Sequence, residues 1–123
     1  GYALQLAVKK GFSVSIISGA AGDAIKSRFT ALGITDVYLG ISDKQSILHS
    51  LLDSGKTTTD HILYMGDDMP DLQVMKMVYF PCCPADACNE IKAVSRYISP
   101  YSGGQGCVRE VIEKVLKLND CWE

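Results

Sequence analysis

The stretch His61-Ile62-Leu63-Tyr64-Met65-Gly66-Asp67-Asp68-Met69-Pro70-Asp71 decides how this chain is read. An apolar run breaks at Gly66 into three carboxylates within five residues. Pro70 suits the first turn of a helix, where a missing N–H costs nothing, and Asp68 is placed to cap it. The pattern is a strand that ends in an acidic loop. In open parallel sheets ligands bind beyond the carboxyl ends of the strands, where loops and helix N-termini converge, so Asp67 and Asp68 fall at the candidate active edge. Adjacent carboxylates repel unless positive charge lies beside them, and hard oxygen ligands of this kind suit Mg²⁺. A solvated acidic turn that merely caps a helix uses the same residues, since Asp and Gly are common in turns.

Downstream, residues 70–77 predict a short helix with Leu72, Val74 and Met75 turned inward, and residues 78–82 a further strand with Pro81 near its end. Pro84-Ala85-Asp86 leads into a helix to Ala93, followed by a short strand at 96–99. After the flexible Gly103-Gly104-Gln105-Gly106 loop, residues 108–118 form an amphipathic helix with Val111, Ile112, Val115 and Leu116 toward the core. Upstream, a helix over 44–54 carries Ile47, Leu48, Leu51 and Leu52 as its stripe. Lys44 falls in its first turn, an unfavourable place for a cation beside the helix dipole. Val37-Tyr38-Leu39 is a short strand. Before it, Asp23 opens a helix with Ala24, Ile25 and Phe29 on one face, Lys26 and Arg28 elsewhere, and Gly33 at its end. The strand at 12–17 delivers Ser18 to the loop Ser18-Gly19-Ala20-Ala21-Gly22. A first helix over 1–10 carries Leu4, Ala7 and Val8 and is stopped by Gly11. This alternation predicts one α/β domain over residues 1–123, a doubly wound Rossmann-like parallel sheet with helices on both faces.

At 123 residues, 47% of them apolar, the chain is one domain at most, with a real core. A formal net charge of −2 gives no reason to expect nucleic acid or a membrane surface as partner. There is no apolar run long enough to span a bilayer and no charged-then-apolar leader, so the reading is a cytoplasmic protein. Cys82, Cys83, Cys88, Cys107 and Cys121 are odd in number and irregularly spaced, unlike a secreted disulfide scaffold. The first three offer zinc a cluster, although no Cys-x-x-Cys pair supports it; buried or incidental thiols are the other reading.

Three features follow successive strands: the Ser18 hydroxyl, Lys44, and the acidic set Asp67, Asp68 and Asp71. A site for a phosphate monoester needs hydroxyl and N–H donors for its oxygens, a fixed cation, and carboxylates to hold Mg²⁺. Each residue also has an ordinary use, Ser18 in a turn, Lys44 and Arg28 on solvated faces. Their joint placement favours the site.

Ile16-Ile17-Ser18-Gly19, then Asp43-Lys44, then Gly66-Asp67-Asp68-Met69-Pro70-Asp71 resemble, in order, motifs II, III and IV of the haloacid dehalogenase superfamily of phosphatases. Gly1-Tyr2-Ala3-Leu4, Lys26-Ser27-Arg28-Phe29, Pro81-Cys82-Cys83-Pro84-Ala85-Asp86-Ala87 and Gly103-Gly104-Gln105-Gly106-Cys107-Val108-Arg109-Glu110 are similar to its capless branch, the 3-deoxy-D-manno-octulosonate 8-phosphate phosphatases and their nonulosonate 9-phosphate relatives. The resemblance implies Ser18 and Gly19 as phosphoryl contacts and Lys44 as the cation steadying nucleophile and phosphate. It implies Asp67 as the direct Mg²⁺ ligand, with Asp68 and Asp71 supporting the metal, water or Lys44. Asp67, directly after the strand, is expected to have a less mobile carboxylate than Asp71. Arg28 is a candidate for the acidic sugar portion, although Ala20-Ala21 stands where related enzymes often carry charged side chains.

The family's nucleophile is the first Asp of an Asp-x-Asp on its opening strand, and the second Asp is the general acid. No Asp-x-Asp occurs here. The expectation is therefore an N-terminally incomplete core that lacks the central first strand and performs no turnover alone, within a parent enzyme that does. The branch also implies a homotetramer at full length, with this fragment assembling poorly. Arg109 would then offer a fork to an acidic substrate or partner carboxylate, or else pair with Glu113 on its own helix. A phospho-receiver module shares the sheet, acidic pair, hydroxyl and Lys, but there the acidic pair comes first and the Lys last.

Overall fold

Helices and strands alternate along the computed structural model, which describes residues 1–122. In order they are α1 (Tyr2–Lys9), β1 (Ser15–Ile17), α2 (Asp23–Ala31), β2 (Asp36–Tyr38), α3 (Lys44–Asp53), β3 (Leu63–Met65), α4 (Leu72–Met77), β4 (Phe80–Cys83), α5 (Asn89–Val94), β5 (Tyr97–Ile98) and α6 (Cys107–Leu118). Every strand pairing is parallel, as strands joined through crossover helices require. The ladders form two groups, β1 with β2 and β3-β4-β5. The chain divides correspondingly into two compact units, one made of residues 1–42 with the chain from Arg109 onward, the other of Asp43–Val108.

In the first unit, α1 buries Ala3, Leu6 and Ala7, and Leu6 and Ala7 pack with Leu116 of α6 against Val14, Ile112 and Trp122. The buried face is thus turned from the expected stripe, because Leu4 and Val8 lie at its margins and are half-buried. α1 and α2 end alike. Gly11 (φ 92°) and Gly33 (φ 87°) reverse the backbone, and the next amides reach back, Phe12 to Ala7 and Ile34 to Phe29, at 3.0 Å each. These turns direct the chain into β1 and β2. Across those strands Ser15 Oγ donates to Asp36 at 2.5 Å, and within β2 Tyr38 Oη donates to the same carboxylate at 2.7 Å. On α6, Arg109 lies 3.8 Å from Glu113 and over the Trp122 ring at 5.8 Å. The local pairing with Glu113 is thus present, on an exposed part of the helix.

In the second unit, β4 is central. Its Cys82 and Cys83 are fully buried, and Cys83 packs with Met75, Ala87 and Ile91. Leu48, Val74 and Val78 make a second cluster under α3. Val78 was expected in the strand, but β4 begins at Phe80, so Pro81 is its second residue rather than near its end. A central strand accepts this proline because its missing donor faces the β5 side one residue before the ladder there begins at Cys82 and Tyr97. Its carbonyl is still used, by the Arg96 amide at 2.7 Å. Among the described residues no helix is long and apolar enough to cross a membrane.

Candidate active site

At the end of β3, Gly66 carries the chain into the acidic loop, and Asp68 caps a single 3₁₀ turn, Met69–Asp71, from which α4 continues. Asp68 Oδ1 accepts the Met69 amide at 2.8 Å, and Pro70 sits in the first turn, where its missing N–H is not needed. The cap is reciprocal. Asp71 Oδ2 reaches back to accept the amides of Asp67 at 3.0 Å and Asp68 at 3.3 Å.

Asp71 Oδ1 takes two further donors, Lys44 Nζ at 2.9 Å and Tyr64 Oη at 2.7 Å. A carboxylate offers about four lone-pair positions, so this one is saturated. Burial opposes its charged form, yet the hydrogen bonds from Tyr64, Lys44 and the Asp67 amide outweigh that and hold its pKa below the usual carboxylate value. Lys44 begins α3 behind the cap Asp43, whose side chain accepts the Ser46 amide at 3.2 Å. There the dipole disfavours a cation. The compensation comes from tertiary structure, an ion pair whose side chains are only 16% and 5% exposed.

Gly66 makes this arrangement possible. A Cβ at position 66 would lie 2.5 Å from Asp71 Cβ and 2.6 Å from its Cγ, so loop and carboxylate approach as closely as they do only across a bare Cα. Gly66→Ala is expected to destabilise by about 1–3 kcal/mol, as overpacking does, and to push Asp71 off its donors. Urea unfolding checks it; a variant with wild-type stability would mean that the loop yields freely.

Asp67 is different in kind. Its carbonyl accepts the Cys88 amide at 3.2 Å, which ties the loop to the start of α5, while the residue itself is exposed. Partial burial, then the charges of Asp71 and Asp68, raise its carboxyl pKa above the ordinary value. The expectation that Asp67 has the less mobile carboxylate is reversed, because Asp71 is buried among four donors. Asp67 instead carries negative charge that a cation would relieve.

Ser18, Gly19 and Arg28 belong to the first unit. At the end of β1 the Ser18 amide donates to Tyr38 O at 2.9 Å, and its Oγ accepts the Ala20 amide at 3.1 Å, which keeps its own proton for donation. Arg28 is exposed in the last turn of α2, its guanidinium 5.3 Å from the centre of the Phe29 ring.

No protein-family model matches this sequence. Among curated proteins the chain is 33% identical over 120 residues to the 3-deoxy-D-manno-octulosonate 8-phosphate phosphatase KdsC of Yersinia pestis, covering 98% of this chain and 64% of that protein. It is 33% identical over 116 residues to KdsC of Escherichia coli K12, covering 94% and 62%. The chain thus spans a little under two thirds of the length of these curated relatives. Among solved structures, that of the Yersinia pestis phosphatase matches with a TM-score of 0.93 at 32% identity, over 98% of this chain and 65% of the other. That of 3-deoxy-D-manno-octulosonate 8-phosphate phosphatase from Moraxella catarrhalis, in complex with magnesium ion, phosphate ion and KDO, matches with a TM-score of 0.89 at 34% identity, over 94% and 67%. This chain belongs to the haloacid dehalogenase (HAD) family of phosphatases.

The second unit of this HAD chain brings together Lys44 and the carboxylates Asp67, Asp68 and Asp71, the residues whose order resembles motifs III and IV. Two residues that hold this HAD loop together were missed in the sequence. Tyr64 was counted as part of the apolar run, although it is the one hydroxyl-bearing residue in the strand that enters Gly66. Gly66 was taken only as the point where the strand breaks. Nothing in local pattern shows that a carboxylate five residues later folds back against it.

Proposed function

We propose that the full-length protein hydrolyses the phosphate monoester of an acidic keto-sugar with Mg²⁺, turning 3-deoxy-D-manno-octulosonate 8-phosphate into the free sugar acid and phosphate. The observation that carries this reading is the Moraxella catarrhalis relative, which holds magnesium, phosphate and KDO and is 34% identical over 94% of this chain. The chemistry of the donors here fits the metal. Asp67 would hold Mg²⁺ directly, and Asp68, with one oxygen occupied by its cap, would support it. Among the described residues no group of three His, Cys, Asp or Glu side chains is placed to hold a metal ion. When bound, the ion offsets charge on the phosphoryl oxygens and orients them.

The protein's own groups do the rest. Lys44 places a fixed positive charge beside the phosphoryl group, and the phosphoryl and sugar contacts of Ser18, Gly19 and Arg28 are those that the family resemblance implies for each. In the family's scheme an Asp carboxylate attacks phosphorus, a second Asp protonates the departing sugar oxygen, and water then cleaves the phosphoaspartate. Both would come from an Asp-x-Asp outside these 123 residues.

The test uses the full-length protein against 8-phosphate and 9-phosphate keto-sugar acids, the second included because Ala20-Ala21 replaces charged side chains of related enzymes. Asp67→Asn is expected to raise the Mg²⁺ concentration needed for half-maximal rate at least tenfold, on the order of one lost charge-assisted contact. Unchanged metal dependence and rate would refute the assignment. A homotetramer is proposed for the full-length protein, with a neighbour helping to cover each site. Light scattering should give the tetramer mass, and a monomer at micromolar concentration with full activity would remove that part.

A further inference from the structure

We infer that Tyr64 is a positioning residue of this site, its phenol setting the plane of the Asp71 carboxylate from which Lys44 on one oxygen and the Asp67-Asp68 loop on the other are held. The four contacts divide evenly. Oδ1 receives Tyr64 and Lys44, and Oδ2 receives the amides of Asp67 and Asp68. Which donor fixes the carboxylate follows from their stiffness. The Lys44 ammonium is a point charge on a flexible four-carbon stem and follows an oxygen through a range of directions. The Tyr64 ring has two side-chain torsions, begins in β3, and packs against both apolar clusters of its unit, the one that includes Met75 and Ile91 and the one that includes Leu48 and Val74. Its Oη therefore has little freedom, and the 2.7 Å bond transmits that rigidity to Asp71.

Burial and the adjacent Asp71 charge raise the phenol pKa, so Tyr64 remains a donor throughout the physiological range. With the phenol absent, Oδ1 is left to Lys44 alone, and the carboxylate turns with the lysine stem. Oδ2 then leaves the two loop amides, and the loop that carries Asp67 loses that anchor. The effect on turnover rests on the phosphatase reading; the effect on the loop rests on geometry alone.

Tyr64→Phe in the full-length protein separates the two, because it removes one hydroxyl and keeps the ring. Amide hydrogen exchange by NMR should be about tenfold faster or more at Asp67 and Asp68, on the scale of one charge-assisted hydrogen bond, with Cys82 and Cys83 in the core strand unchanged. Turnover of the sugar phosphate should show a lower kcat with KM within twofold. Unchanged exchange at Asp67 and Asp68 would overturn the inference, as would equal loss of protection in β4, which would make Tyr64 a packing residue. If the wild-type protein hydrolyses no phosphate monoester, the phosphatase reading fails and the exchange measurement still decides Tyr64.

Discussion

Asp71→Ala is expected to be the most destabilising single change in the second unit, costing about 3–5 kcal/mol, the range for removing one partner of a buried ion pair. The magnitude follows from what is stranded. Lys44, 16% exposed, loses its counter-charge at a helix end that repels it, and the Tyr64 hydroxyl and two loop amides lose their acceptor. Water can still reach the Lys44 ammonium, which places the expectation toward the lower end. Asp71→Asn keeps an acceptor oxygen and should cost less. Denaturant unfolding of the two variants beside wild type measures both. A loss under 1 kcal/mol for Asp71→Ala would mean that the loop has another support.

Lys44→Ala carries the largest expected effect on rate. One preorganised electrostatic contact to a reacting phosphoryl group is worth on the order of 10²–10³ in kcat, and Lys44 is the cation that the Asp71 carboxylate holds in place. Steady-state kinetics of the full-length variant at saturating Mg²⁺ tests it. The variant also leaves Asp71 buried without its cation, so the folded fraction has to be measured in the same samples. Wild-type turnover by folded Lys44→Ala protein would return Lys44 to a purely structural partnership.

The two predictions share Asp71. The resemblance implied for Asp68 and Asp71 alike a supporting role toward the metal, water or Lys44, since three aspartates within five residues look alike in a sequence. The fold gives them three separate tasks. Asp68 caps a turn, Asp67 stays exposed with its negative charge unrelieved, and Asp71 is consumed internally. Only the direction in which each side chain leaves the backbone separates them, and that direction is set by the 3₁₀ turn at Met69–Asp71.

Local pattern was enough for the order of elements. Apolar spacing, the glycines after α1 and α2, and the cap before α3 act within a few residues, so they are readable without knowing what packs where. The motif order Ser18, Lys44, Asp67 was likewise legible, because each residue directly follows its strand or opens a helix. The ladder of β4 was not. Pro81 fits a strand interior only because of where β5 starts, a fact about a segment sixteen residues away. Lys44 is the clearest case. Its position opposes the helix dipole, and in sequence that is an unexplained cost. The acceptor that offsets it lies twenty-seven residues further on, brought to 2.9 Å by parallel pairing of β3 with β4 and by the bare Cα of Gly66. Long-range contacts of this sort depend on chain path through the core, which short-range propensity does not encode; the family resemblance offered Lys44 as one of several groups for Asp71 to support, and the tertiary structure singled out Lys44 and added Tyr64.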